Sequence, residues 1–190
     1  MTSILKADTI QDAAGNNIIN ENANTITIGA SGDTTNIIGT LQNNGAAVGG
    51  VNSPIVYAQG NAGTSCANST STKIELENEI IDTASLMASS RFTVTSDYQG
   101  KYLVSFQMSF NHTTADKFVI GVIKKNGSGV TYGQYYSQYS GAHTCMSTTT
   151  CIVDLTTSDY LEFWGEQNSG GTLVSNGGDA THCSITKLIT

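Results

Sequence analysis

The chain has 190 residues, a net charge of −7 and only eight lysines and arginines. This length suits about one domain with an additional segment. The acidic charge argues against a nucleic-acid-binding protein, which needs a basic surface. No apolar run reaches the roughly 18 residues of a membrane helix. We therefore predict a protein that binds no nucleic acid and does not insert into a membrane.

The distribution of aromatic residues divides the chain into two parts. All of them lie at or after Tyr57, and residues 1–53 contain none. Between the two parts stands the glycine-rich sequence AAVGGVNSP, which ends in Pro54, the only proline. Such a stretch is typical of a linker. We predict an N-terminal arm (1–53) and a globular head (54–190).

The arm has too few large apolar side chains to offset the entropy of folding alone. It repeats short phrases in which an Asn, Gly or Asp turn is followed or preceded by Thr and Ile, such as NTITIGASG. These phrases predict an extended β-rich arm or stalk that packs against other chains, and a flexible tether is the alternative. The isoleucines assigned to trimerisation and particle docking are Ile10, Ile18, Ile19, Ile26, Ile28, Ile37 and Ile38.

The head shows the alternation of half-buried β-strands. In residues 100–111, every second side chain is large and apolar, and the others are mostly polar. The apolar face consists of Tyr102, Val104, Phe106, Met108 and Phe110. Residues 117–123 are apolar on both faces, which indicates a second buried surface. The four-residue stretch TTSD between 151–155 and 160–167 has the length of a hairpin loop. Together these segments predict an antiparallel sandwich.

The order of the segments resembles the complement-type globular head, or TNF-like, jelly roll. The resemblance runs from Lys73 onwards through KIELENEIID, RFTVTSDYQGKYLVSFQMSF, VIKKNG, CIVDLTTSDYLEFW and HCSITKLI. The chain departs from that pattern at Ser158 and Thr186, where the family has glycine, and at Cys183, near a usual aromatic. The resemblance implies an all-β jelly roll that forms a homotrimer.

The first segment, ILKADTIQDAAGNNIINE, is similar to the leaders of tail-fibre-like structural proteins of tailed phages, marine ones in particular. This similarity implies a structural protein that assembles in the host cytoplasm and is exposed on the virion surface. We predict a fibre or tip whose head adheres to a host glycan or protein, and whose arm contacts other virion proteins. A trimer that decorates or cements the capsid is the alternative. A secreted head-type ligand of a cellular organism is a more remote one.

Catalytic patterns are not apparent in the sequence. The three histidines, His112, His143 and His182, are scattered and have no spacing typical of a metal triad. Four acidic residues fall on or beside the predicted hairpin, and we interpret them as a solvated edge rather than an acid/base pair. These residues are Asp154, Asp159, Glu162 and Glu166. We predict no enzymatic activity and no catalytic residue.

The segment KIELENE places Glu75, Glu77 and Glu79 on one face of a predicted strand, opposite Ile74 and Leu76. Such a face usually keeps an outer surface soluble. The alternative is a cation site, because trimeric heads of the resembled family sometimes hold calcium among clustered carboxylates. We expect no other cofactor.

All four cysteines lie in the head, without the C-x-x-C spacing of a zinc site. On one straight strand, Cys145 and Cys151 would be about 20 Å apart, too far for a disulfide. Because a phage protein, as the leader resemblance implies, assembles in a reducing cytoplasm, buried free thiols are expected. A bridge from Cys66 or Cys183 to one of these two cysteines is the alternative.

The stretch GVTYGQYYSQYSGAH has four tyrosines among glycine, serine and glutamine. We name Tyr132, Tyr135, Tyr136 and Tyr139 the tyrosine cluster. Tyrosine with serine and glycine is typical of adaptable binding surfaces, and sugars suit such a surface. The alternative is that Tyr132 and Tyr136 pack inside the sandwich. In that case Tyr135 and Tyr139 still face away and form an exposed recognition patch.

Overall fold

A computed structural model describes residues 53–112 and 114–188, together with the backbone of 42–43 and 46–47. The isoleucines assigned to the arm lie outside the described residues. The chain divides into two compact units, Met1–Gly49 and Gly50–Thr190. In the first unit, β1 (Gln42–Asn43) pairs with β2 (Ala46–Ala47) in an antiparallel manner. The second unit is described by itself below.

The second unit consists of β-strands and one 3-10 helix, Ser96–Tyr98, and its described residues include no α-helix. No helix in the described part of the chain is long and apolar enough to cross a membrane. The strands are β3 (Ile55–Gly60), β4 (Ser65–Cys66), β5 (Thr72–Lys73), β6 (Asn78–Asp82), β7 (Met87–Ala88), β8 (Arg91–Thr93), β9 (Gly100–His112), β10 (Lys117–Lys125), β11 (Ser128–Ser137), β12 (His143–Leu155), β13 (Tyr160–Gln167), β14 (Leu173–Val174) and β15 (Gly178–Lys187).

These strands form two large antiparallel sheets and a separate two-stranded sheet in which β4 pairs with β14. A five-stranded sheet has the order β12-β9-β15-β3-β6, and a six-stranded sheet has the order β11-β10-β13-β8-β7 with β5 paired to β13. Strands β9, β12 and β15 belong to one sheet, and β10, β11 and β13 belong to the other. Apart from the β10–β11 pair, successive long strands therefore cross between the sheets, as in a jelly roll. The predicted all-β jelly-roll sandwich is confirmed for the head.

The core lies between the sheets, where the inward faces of the strands meet. The apolar face predicted for β9 is confirmed, since all five of its side chains are fully buried. Strand β10 contributes Val119 and Ile123, and β13 contributes Leu161 and Phe163. Phe106 packs on Phe163 across the core, with ring centroids 5.2 Å apart. A period of two residues therefore decides which side chains enter the core.

The predicted hairpin between β12 and β13 is wrong. Strand β12 pairs with β9, whereas β13 pairs with β10, β8 and β5. The connection instead carries the chain from one sheet to the other. Asp159 closes this turn, because its carboxylate accepts hydrogen bonds from the backbone N–H and the hydroxyl of Thr156 at 2.8 and 3.0 Å. A connection of four residues is long enough either for a hairpin or for a crossing between the two sheets. The crossing is favoured because it lets the apolar faces of β12 and β13 both point into the core between the sheets.

A row of glycines crosses the six-stranded sheet. Gly121 on β10 lies directly opposite Gly133 on β11 and Gly165 on β13. Because these glycines have no side chains, the backbone of the opposite sheet can come close to this row. At Gly133 a Cβ would overlap the carbonyl oxygen of Thr148. The hydroxyl of Ser147 uses this approach: it accepts from the Gly121 N–H at 2.9 Å and donates to the Gly133 carbonyl at 2.6 Å. The glycine row therefore lets β12 close one side of the sandwich.

Candidate functional site

The tyrosine cluster is exposed on strand β11 and the loop that follows it. The exposed fractions of Tyr132, Tyr135, Tyr136 and Tyr139 are 67%, 37%, 51% and 64%. The alternative in which Tyr132 and Tyr136 pack inside the sandwich is therefore wrong. Strand β11 is the edge of its sheet, and β12 lies against its inward face at Gly133.

The register of β10 and β11 explains which way each ring points. Tyr132 lies opposite Val122 and Tyr136 lies opposite Phe118, all on the outer face of the six-stranded sheet. Tyr135 lies opposite the buried Val119 and so points to the other face. Tyr135 thus faces away from Tyr132 and Tyr136, as expected. Tyr139 lies beyond the end of β11, and the recognition patch of Tyr135 and Tyr139 stays a prediction.

A groove of about 500 Å³ lies beside Tyr132 on the outer face. Its lining is apolar apart from Thr131 and the carboxylate of Glu166. An aromatic ring, aliphatic side chains and a carboxylate can together stack a flat or ring-shaped ligand and accept hydrogen bonds from it. The residues that line it are Ile120, Val122, Gly129, Val130, Thr131, Tyr132 and Glu166.

The same sheet carries a charged network centred on Glu162, which is 5% exposed. Its Oε1 accepts from Arg91 Nε and Nη2 at 2.9 and 2.7 Å and lies 3.2 Å from Lys73 Nζ. Burial alone would raise the pKa of Glu162, but the hydrogen bonds from Arg91 and Lys73 outweigh it, and the pKa is lowered. The interpretation of this residue as part of a solvated edge is wrong, because β5 and β8 place two cations over it.

Asp159 has a different cationic partner from Glu162. Lys125 Nζ lies 2.8 Å from its Oδ2, and the Asn126 amide donates to its Oδ1 at 2.6 Å. The hydrogen bond from Lys125 is the main reason that the pKa of Asp159 lies well below its usual range. Asp154 makes an exposed ion pair with Lys101 at 3.1 Å. The carboxylates of Glu162, Asp159 and Asp154 therefore bind different cations and do not form an acid/base pair with one another.

The segment that contains Glu75, Glu77 and Glu79 is not a single strand, because β5 ends at Lys73 and β6 begins at Asn78. The predicted alternation holds through its first half, where Ile74 and Leu76 are buried and the glutamates between and after them are exposed. The three carboxylates are not among the groups whose ligand atoms converge in the described part of the chain. A calcium site at these residues stays a prediction.

All four cysteines are free, and Cys66, Cys145 and Cys183 are buried as expected, whereas Cys151 is only half-buried. Cys145 and Cys151 both face inward on β12, as predicted for one straight strand. Burial raises the pKa of Cys66 to about 11 and that of Cys183 to about 12, in both cases as the main cause. Because the thiolate is the reactive form, these two thiols are poor nucleophiles.

The interpretation of the histidines as scattered is wrong for two of them. His112 at the end of β9 lies directly opposite His143 at the start of β12, and their ring centroids are 4.6 Å apart. Cys145 projects from the same face of β12, with its Sγ 3.0 Å from His112 Nε2. His182 is elsewhere, against the ring of Tyr57. The H-x-C spacing at 143–145 is the sequence signal that was available for this cluster.

These three side chains form the one group of histidine, cysteine or acidic residues in the described part of the chain with converging ligand atoms, all within 4.8 Å of one another. His112 is 6% exposed and Cys145 is fully buried. Burial, followed by the proximity of His143, lowers the pKa of His112. Burial raises the pKa of Cys145. Both groups are thus kept in their neutral forms when no cation is present.

Comparison with known proteins shows similarity in structure only. No family model matches the chain, and no curated protein matches it by sequence. The head is similar to Eiger, a TNF protein from S. frugiperda, with 14% identity and a TM-score of 0.53 over 71% of this chain and 92% of that one. It is also similar to murine APRIL (12%, 0.53, covering 70% and 98%) and to the globular domain of zebrafish complement 1qA protein (13%, 0.53, covering 72% and 98%). At these identities, the likeness shows that the head has the TNF and complement-type fold.

Proposed function

We propose that the protein is a homotrimeric surface protein of a tailed-phage virion, whose head is displayed outward and adheres to the host surface. Three observations support this proposal. The head has the fold of complement-type and TNF-like binding heads. The N-terminal segment is similar to tail-fibre leaders. The tyrosine cluster gives the head an exposed aromatic surface.

The exposed tyrosine cluster carries the proposal of adhesion. Exposing four tyrosine rings in an eight-residue stretch leaves a large amphipathic area that the fold itself does not use. The rings contribute contact area at a small entropic cost, and their hydroxyls form hydrogen bonds. With the groove beside Tyr132 and the carboxylate of Glu166, this surface suits a glycan, whose rings stack on aromatics and whose hydroxyls donate to oxygen acceptors.

Replacing Tyr132 and Tyr136 together with alanine is expected to reduce adsorption to host cells or to a glycan array by about tenfold or more, as loss of interface aromatics does. Because both rings are exposed, the melting temperature should stay within about 2 °C. The double variant of Tyr135 and Tyr139 tests the other side of the cluster in the same way. A large loss of stability in either variant would instead identify those rings as part of an interface between protomers.

The homotrimer is implied by the resemblance to complement-type heads, and an exposed apolar pair on the five-stranded sheet supports it. Leu103 and Ile152 lie directly opposite each other on β9 and β12, with exposed fractions of 42% and 63%. The outward neighbours of this pair are the short, polar Ser105 and Thr150 on one side and the ion pair of Lys101 and Asp154 on the other, so a second copy can approach most closely over Ser105 and Thr150. We propose that this face packs against a neighbouring protomer.

Light scattering on the full chain and on residues 54–190 is expected to show trimers at micromolar concentration. The variant Ile152→Asp should dissociate the trimer, because a carboxylate at this position would be desolvated at the interface. The matched control is Val174→Asp, which alters a side chain on β14 that is 54% exposed, and it should leave the trimer intact. A monomeric wild-type chain would overturn the proposed assembly, and a trimeric Ile152→Asp variant would exclude this face.

Labelling purified virions with an antibody to the head tests the proposed location. Label at the tail tip or fibres is expected for an adhesive fibre. Label spread over the capsid would favour a decoration or cement trimer. Virions that carry no label would contradict both virion roles.

A further inference from the structure

We propose that His112, His143 and Cys145 form a binding site for a divalent transition metal of the zinc type. The three side chains come from the end of β9 and the start of β12, and their ligand atoms lie within 4.8 Å of one another. This inference does not depend on the proposed function, because it concerns the binding of a metal ion and not adhesion, although the Tyr139 ring packs on His143 with the ring centroids 5.6 Å apart.

The donor set matches the chemistry of zinc. Two imidazoles and one thiolate are borderline and soft ligands, which favour Zn²⁺ over Ca²⁺ or Mg²⁺. In a tetrahedral site the ligand atoms are about 3.3–3.6 Å apart, given Zn–N and Zn–S bonds of about 2.1 and 2.3 Å. To bind zinc, the distance of 3.0 Å between His112 Nε2 and Cys145 Sγ needs to lengthen by about 0.5 Å. A pair of ligand atoms as far apart as 4.8 Å needs to move closer by about 1 Å. Rotation of the side chains supplies shifts of this size.

His143 already has its proton on the correct nitrogen. Its Nδ1 lies 2.5 Å from the carbonyl oxygen of Gly141, which can only accept, so Nδ1 carries the proton. Its Nε2 therefore has a free lone pair, which accepts from the Ser137 hydroxyl at 2.6 Å. A carbonyl that holds the second nitrogen of a ligating histidine is a recurrent feature of zinc sites. Because a metal at this lone pair would take the place of the Ser137 hydroxyl, the Ser137 side chain has to rotate away when the metal binds.

His112 and Cys145 hold the protons that a metal would replace. The backbone N–H of Thr114 donates to His112 Nδ1 at 3.3 Å, so the ring proton is on Nε2, facing the sulfur. On metal binding this proton moves to Nδ1, and the long hydrogen bond from Thr114 is lost. The S–H bond of Cys145 breaks, its electron pair goes to the metal, and its proton goes to solvent. The balance is one proton released for each metal bound.

The fourth position of a tetrahedral metal is open to the outside. A cavity of about 390 Å³ adjoins the two histidines and is also lined by Asn111, Ala142 and Thr144. It has room for a water molecule, whereas the side chains of Asn111 and Thr144 lie on the outer face of the strands and hydrogen-bond each other at 2.8 Å. With three ligands from the protein and the fourth position facing this cavity, a metal ion can reach the site in the folded head.

The experiment uses the full chain after treatment with a chelator, and it adds Zn²⁺ or Co²⁺ alone. We expect one Zn²⁺ per chain by calorimetry, with about one proton released per ion, and a higher melting temperature when Zn²⁺ is bound. The Co²⁺ form should show a thiolate-to-cobalt charge-transfer band. Cys145→Ala should abolish that band. His143→Ala, which changes a half-buried residue, should weaken Zn²⁺ binding by at least about tenfold.

Two matched controls are available in the same head. Cys151→Ala removes another thiol from the same face of β12, and His182→Ala removes the histidine outside the cluster. Both should keep the stoichiometry and the charge-transfer band. The proposal is overturned if the natively folded wild-type chain binds no Zn²⁺, or if folded His143→Ala and Cys145→Ala variants bind it as tightly as the wild type does.

Discussion

Replacing Gly133 with alanine is expected to destabilise the head by about 3 kcal/mol or more, at the upper end of the cost of overpacking. The new Cβ would overlap the carbonyl oxygen of Thr148. This oxygen belongs to the backbone of β12, which is paired with β9 from His143 to Leu155, so it cannot rotate away. Separating the strands would also break the hydrogen bond of 2.6 Å from Ser147 to the Gly133 carbonyl.

The other glycines of the row predict a graded series. Gly165→Ala would meet the side chains of Met108 and Ile74, which can move in part. Gly121→Ala would meet the edge of the Phe106 ring at 3.2 Å and should cost least of the three. We therefore expect the loss of stability to decrease from position 133 to 165 to 121.

Chemical denaturation at a fixed protein concentration measures this series. The matched control is Gly171→Ala, whose Cβ would have no atom within 4 Å, and it should change the free energy of unfolding by less than about 0.5 kcal/mol. At the size of this head, a loss of 3 kcal/mol lowers the melting temperature by roughly 6–12 °C. If Gly133→Ala were as stable as Gly171→Ala, close contact between β11 and β12 would not be needed for the fold.

The fold was predictable where the signal is local. Side chains alternate between core and solvent along one strand, so the sequence of β9 alone predicts that Phe106 is buried and Lys101 is exposed. Burial of Ile74 and Leu76 followed from the same rule. The rule says nothing about the partner of a strand. It therefore did not distinguish a hairpin between β12 and β13 from a crossing between sheets.

The cluster of His112, His143 and Cys145 was not predictable from motif spacing, because the register of two paired strands brings its members together. His112 and His143 are 31 positions apart, and only the antiparallel pairing of β9 with β12 places them side by side. The environment of Glu162 has the same origin, since Lys73 and Arg91 lie on other strands. For the tyrosine cluster, the composition favoured a binding surface but left open that Tyr132 and Tyr136 pack inside the sandwich, because the edge position of β11 depends on which strands pair.

Replacing Glu162 with glutamine is expected to lower the free energy of unfolding by about 1–3 kcal/mol at pH 7, the cost of losing buried charge-assisted hydrogen bonds. The substitution keeps the volume and the Trp164 contact to Oε2, at 3.3 Å. The upper range known for broken buried ion pairs does not apply. The side chains of Lys73 and Arg91 are 30% and 45% exposed, so their charges are solvated when the carboxylate is gone.

The exposed pair of Lys101 and Asp154 is a matched control for Glu162→Gln. Its nitrogen-to-oxygen distance of 3.1 Å equals that of a good ion pair, but the two side chains are 53% and 65% exposed. Asp154→Asn should therefore change stability by less than about 1 kcal/mol. Similar losses in the two variants would mean that burial adds nothing to the Glu162 network.

The pH dependence provides an independent test of the same network. The folded pKa of Glu162 is lowered, while in the unfolded chain it is about 4.3. A depressed folded pKa contributes stability that is present above the unfolded pKa and is lost as the pH falls through the folded pKa. The difference in unfolding free energy between the wild type and Glu162→Gln should thus be constant from pH 7 to about pH 5 and shrink below about pH 4. A difference that persists unchanged at low pH would show that the charge of Glu162 is not what stabilises this part of the sheet.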